Sequence, residues 1–447
     1  MNPLLPSLRR KALFLLSLFV ALLLPVHAAL AADAAFDGAQ GWAASTPGGR
    51  GGEILRVTTL AADGPGSLAE ALRTSGPRTV VFEVAGVIDL GLQEIRITEP
   101  FLTIAGQTAP SPGITIIRGG LIIATHDVVV RHLRIRPGSG GLRRGAGRDI
   151  DAISTVSGAR DVIVDHCSLT WATDENLSAS GTRFVGATPE EWRRNVSHRI
   201  TFSNNLLAEG LRYSTHAKGE HSKGSLIHDN STDILIVGNL YAHNHERNAH
   251  FKGGVRAQFI NNLIYDPGQR AVHYNLVDEE WAEHLDRKQV GELSLRGNVL
   301  RGGPSTETLA FFMFGGSGDV RLFIEDTIAV DRIGQPLPLL GRYSTSRAGV
   351  VPMRRAPPLP PGVRLLAAAD VQDHVLANAG ARPWDRDDVD RRILANVVEG
   401  RGTIIDHERE VGGYPVVPET RAPFIEADWD LDTMAPRRPL PRRPPPR

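Results

Sequence analysis

From Thr79 to about Val330 the chain repeats one short pattern: an alternating apolar run, a small polar step, then two further apolar residues. DVVVRHLRIR, DVIVDHCSLTW, RITFSNNLLAE, DILIVGNLYAH, RAQFINNLIYD and ELSLRGNVLRGG are instances of it. Period-two alternation over such short runs predicts strands. Leu133, Cys167, Asn205, Asn239, Asn262 and Asn298 hold the matching position, at separations of 34, 38, 34, 23 and 36 residues. A constant strand unit with length variation confined to the joints describes a solenoid whose coils stack in register. Asn at equivalent turns can hydrogen-bond from coil to coil and tolerates the left-handed conformation. A β-sandwich would need hairpin turns such as Asn-Gly, and none joins these runs. The predicted fold is therefore all-β, a right-handed, single-stranded parallel β-helix.

The flanks of the repeat differ from it. Ser67-Leu68-Ala69-Glu70 reads as a capping box opening a short amphipathic helix over Leu68 to Thr74, stopped by Gly76-Pro77. Such a helix is placed to cover the open end of a sheet. Beyond Val330, MRRAPPLPP (Met353 to Pro361) predicts an extended connector, and Ala369 to Ala379 and Asp387 to Glu399 predict short helices. The pattern divides the chain into a leader (1–31), a β-helix (32–345), an extension packing on it (346–435) and a Pro/Arg-rich disordered tail (436–447). The leader carries Arg9, Arg10 and Lys11, the apolar run Ala12 to Leu24 and a small-residue cleavage site near Ala28 or Ala31. That run is shorter than the ~20 apolar residues of a spanning helix, so it reads as a signal peptide. The expected location is the periplasm or the cell exterior.

Charge narrows the partners. Fifty basic and fifty acidic residues balance, which argues against general binding to nucleic acid or to an anionic membrane. Cys167 is the one cysteine. An exported chain with one thiol has no internal disulfide, and this thiol lies within an apolar strand pattern, so it reads as a buried core residue.

Three polar clusters interrupt the strands. Asp149 and Asp151 share an i, i+2 spacing and point to one side if extended. Asp174 and Glu175 follow the strand VIVDHCSL, one coil on. Coils stack about 4.8 Å apart, so the two acidic pairs can converge. Gathered carboxylates repel unless a cation sits among them, and all-oxygen ligation favours calcium. On spacing alone, separate solvated turn carboxylates account for them equally well. No CxxC or HExxH spacing suggests zinc. The third cluster is basic: His216, Lys218, His221 and Lys223, then His243, His245, Arg247, His250 and Lys252. Singly, each His reads as a surface loop residue. Together they predict a cationic groove beside the carboxylates, suited to an acidic polymer.

With these residues in place, the chain resembles the pectate lyase superfamily, specifically bacterial secreted members of polysaccharide lyase family 1. The likeness rests on GGRGGEILRVTTLAADGPGSLAEAL, GPRTVVFEVAGVIDL, LTIAGQTAP, VVVRHLRIRPG, DAISTVSGARDVIVDHCSLTWATDENLS and HERNAHFKGG. It is strongest from Phe36 to Asp266, and DHCSLTW after DAIS is its most specific stretch. The resemblance implies a calcium (Ca2+) enzyme that cleaves polygalacturonate by β-elimination. It assigns Asp149, Asp151, Asp174 and Glu175 to the metal, and Lys223 to the substrate. Arg247 becomes the proton-abstracting base and Lys252 a second basic group; the basic cluster itself, not the resemblance, adds Lys218 and His221 as expected substrate contacts. The resemblance departs at Ala249, where the family carries proline, at Lys252, where it carries arginine, and at Ser178, where a third acid is expected. The expected partner is a polyuronate, and the expected state a monomer. Two alternatives remain at this point: a non-catalytic polysaccharide-binding or adhesive β-helix, and a glycoside hydrolase using a carboxylate pair on the same scaffold.

Overall fold

The computed structural model describes residues 33–344 and 347–440; the leader and the last seven residues of the tail lie outside these. Three sheets run the length of the solenoid, parallel except for an antiparallel edge that Thr420–Arg421 adds to the third, and each complete coil contributes one strand to each. The first runs from Glu53–Val57 to Val350–Pro352, the second from Ile95–Ile97 to Leu340–Arg342, and the third from Val84–Asp89 to Ile328–Val330. Register is strict: Val128, Val162, Ile200, Ile234 and Ala257 follow one another across five coils. This is the right-handed parallel β-helix. It reaches past both ends of the recognisable repeat, because Glu53 pairs with Arg78 and Val350 with Val320. The inward residues of all three sheets form one continuous apolar bore, with Cys167 inside it. Burial pushes that thiol up to about 12, so it stays protonated and inert.

The polar step of the repeat is an amide ladder. Oδ1 of Asn205 accepts from the Cys167 backbone N–H at 2.8 Å. Asn239, Asn262 and Asn298 serve Asn205, Asn239 and Asn262 in the same way, at 2.8, 2.9 and 2.9 Å. Each amide nitrogen returns a bond to a carbonyl at the end of a first-sheet strand, as Asn239 does to Phe202 at 2.9 Å. The left-handed turn falls on the residue before the ladder, namely His132, His166, Asn204, Gly238, Asn261 and Gly297. The sequence reading gave both duties to one Asn; the chain divides them between neighbours. Asn239→Ala would strand the buried Asn205 N–H and is expected to cost about 3 kcal/mol, read as a lowered urea midpoint.

The helix Leu68–Arg73 buries Leu68 and Leu72 against the first coils. Ser67 Oγ accepts from the Glu70 N–H at 3.2 Å, but Glu70 reaches back to Gly66 N, one residue earlier than a capping box requires. The Gly-rich GGRGG is a close approach, since a Cβ on Gly49 would lie 1.9 Å from the Arg78 carbonyl oxygen. The extension lies along the outer face of the third sheet. Helices Ala368–Asn378 and Asp388–Glu399 set Val371, Val375, Ile393 and Val397 on Leu206, Leu240 and Leu263. Buried Arg136 clamps the start of the second helix through Asp387 and Asp390 at 2.7 and 2.9 Å. The Pro/Arg-rich end does not start as an open tail. Pro436 pairs with Trp429, and Leu440 packs beside Phe424 and Trp429, because their apolar surface needs cover. Among the described residues no helix is long and apolar enough to cross a membrane.

Candidate active site

The polar clusters meet where the third sheet hands the chain to the second. Trp171 to Asn176 makes that passage in one coil, residues 209 to 225 in the next and His243 to Ala249 in the one after. Isolated parallel bridges join Glu175 to Lys223 and Lys223 to Glu246, so these three stack on successive coils at one outer position. Stacking by one coil, rather than sequence proximity, brings the acid and base groups together.

Asp151, Asp174 and Glu175 offer carboxylate oxygens within 4.8 Å of one another. Asp151 accepts the Glu175 N–H at 2.9 Å and the Ser178 hydroxyl. Burial, then the charge of Asp174, holds the Asp151 carboxyl well above its usual range despite the bond from Ser178. Burial also pushes Asp174 up, but His221 and Arg247 outweigh it and the group stays below its ordinary value. Asp149 sits at the rim, accepting the Ala217 N–H at 3.1 Å, with His216 Nε2 3.6 Å from its other oxygen. The two aspartates at i, i+2 are thus not on a strand and take different partners. His216 and His221 stack at 3.5 Å, and His221 Nε2 lies 2.7 Å from Asp174. His221 therefore faces the acidic cluster.

Arg247 adopts a left-handed backbone, with φ of 62°, and ion-pairs with Glu175 while remaining 22% exposed. Burial lowers its affinity for its proton, against the pull of Asp174 and Asp151. Lys223 pairs with Glu246, which also binds Arg270, and Lys252 pairs with Glu280. Burial likewise lowers Lys223, opposed by Glu246. His250 stacks on His273 at 4.0 Å and meets Asn275 at 2.9 Å. Lys218 is exposed on the long loop. His243 does not belong to the groove: it is fully buried and binds Asp266 at 2.8 Å. Sequence reasoning missed Glu246, Arg270, Glu280 and Tyr343, over whose ring Arg270 lies at 4.7 Å. Glu246 adjoins Arg247 in the chain and was discoverable; the others sit in joints with no repeating signal.

Comparison with known proteins bears on this arrangement. The chain is 31% identical over 407 residues to a probable pectate lyase C of Neosartorya fischeri, covering 90% of this chain and 86% of that protein. The chain belongs to the pectate lyase family. It is a polysaccharide lyase by class. A probable pectate lyase C of Aspergillus flavus is 31% identical over 384 residues, 85% of this chain and 81% of that protein. A solved pectate lyase structure superposes with a TM-score of 0.50 at 15% identity, over 79% of this chain and 99% of that one. No protein-family model matches the chain.

Within this pectate lyase-family chain the most specific motif, DHCSLTW, is mainly architectural. Asp165 binds Arg131 at 3.0 Å and His166 at 2.7 Å, and Cys167 fills the bore. Ser168 donates to Asp390 at 2.7 Å, and the Trp171 indole N–H donates to Glu209 at 2.9 Å. These bonds fix the corner from which Asp174 and Glu175 project.

Proposed function

We propose that the protein is an exported, calcium-dependent pectate lyase that cleaves polygalacturonate by β-elimination, leaving 4,5-unsaturated oligogalacturonides. The observation that carries the reading is the contact between Arg247 and Glu175 beside Asp151 and Asp174, on the same outer wall as Lys223 and Lys252. The all-oxygen trio fits a calcium ion, and Asp149 extends it at the rim. A bound calcium would supply a positive charge that draws electrons from a uronate carboxylate and acidifies its C5–H. Arg247 is the base that takes this proton. Lys223 and Lys252 hold substrate carboxylates and offset the negative charge that builds up in the transition state. Each cation is paired with a protein carboxylate, so an entering polyanion exchanges one carboxylate for another. The leader supports export, and the balanced charge supports a partner chosen by this groove rather than by overall field.

The sign of the pH dependence follows from two groups. Asp151 must lose its proton to serve as a ligand, and its raised value delays that loss, so calcium affinity falls as pH falls through it. Arg247 must be neutral to act, and its value is lowered by burial, so its active fraction grows as pH rises. Activity is therefore expected to climb into the alkaline range. Incubation with polygalacturonate should raise ultraviolet absorbance from the unsaturated ends, and a chelator should abolish the rise. New reducing ends without absorbance would point to hydrolysis, and neither signal would leave a binding protein.

A further inference from the structure

One ion pair of the groove uses an acid that belongs to the acidic trio. Glu175 is 4% exposed and gives a carboxylate oxygen to Arg247. It also stands with Asp151 and Asp174, all within 4.8 Å. The acids holding Lys223 and Lys252, Glu246 and Glu280, stand outside that trio. Asp174 has His221 and His216 as ion-pair partners, and among the described residues Asp151 is hydrogen-bonded by the Glu175 N–H and Ser178 and feels the Arg247 charge without a direct ion pair. Among the described residues the Arg247 guanidinium is therefore the permanent positive charge ion-paired directly to the trio.

A nearly buried carboxylate cannot turn fully toward two cations, and a divalent ion within the trio repels a guanidinium on the same oxygens. We propose that Glu175 is shared between Arg247 and the calcium site, so that the arginine and the ion compete for one carboxylate. The inference rests on the calcium reading given above. In the structure Arg247 rests on Glu175. Were Glu175 engaged by a bound calcium, the Arg247 guanidinium would be freed toward the groove, where the C5–H of a bound uronate would stand. Glu175 is on this account a positioning residue, linking occupancy of the metal site to the place of the base.

Calcium affinity, measured by titration calorimetry on chelator-treated protein, tests the idea without any turnover. Arg247→Met should bind calcium about 10-fold more tightly than the wild type, a coupling of the usual allosteric size. In a Glu175→Gln background the same replacement should change affinity by less than about 2-fold, because the shared oxygen is gone. Equal tightening in both backgrounds would show simple repulsion through space and overturn the proposal, as would no tightening in Arg247→Met. Arg247→Gln repeats the measurement should Met unsettle the fold, which thermal melting reports. A wild type that binds no calcium would instead remove the metal reading, and this inference with it; the two failures are distinct.

Discussion

Arg247→Lys is expected to lower kcat on polygalacturonate by about 10³-fold, within the range for loss of a general base, with KM little changed. Lysine keeps the charge, so a merely electrostatic role would survive the exchange. It does not keep the reach or the planar fork that lets the guanidinium meet Glu175 while facing the groove. The group is partly exposed and on a turn, so the β-helix itself should melt at an unchanged temperature. Steady-state kinetics with ultraviolet detection decides the matter. Near-full activity in this variant would deny Arg247 the role of base, whatever the rest of the groove does.

Asp151→Asn is expected to weaken calcium binding by at least about 100-fold, since loss of a ligand should exceed the 10–100-fold effect of a supporting group. Activity at limiting calcium should vanish and return in part at high calcium. The metal-free protein should not be destabilised. Burial and Asp174 already oppose the charge on Asp151, and an asparagine oxygen still accepts the Glu175 N–H. Calcium titration together with chemical denaturation in chelator separates the two outcomes. A variant that unfolds without metal would make Asp151 a structural acid and not a ligand.

The strands were legible because each coil carries the same alternating code. The six ladder positions were placed correctly from spacing, and four of them bond as Asn amides. The two late helices lie within one residue of expectation, since their apolar stripes face one side. The candidate site was legible in part. Asp151, Asp174, Glu175 and Arg247 come together, whereas His243, adjacent to them in the basic run, points into a buried pair with Asp266. Nothing local distinguishes His243 from His245, because which side of a corner faces inward depends on the coil beneath. Glu280 and Arg270 were invisible for a similar reason: both lie in joints of variable length.

Sequence alone determined the solenoid, the bore and the identity of the chemical groups, because strand periodicity and the repeat are local properties that every coil restates. Tertiary structure alone decided who partners whom. Stacking by one coil places residues from separate coils, such as Glu175, Lys223 and Glu246, at one outer position. Burial then sets which carboxylates keep their protons and which cations are clasped, and no spacing along the chain encodes either.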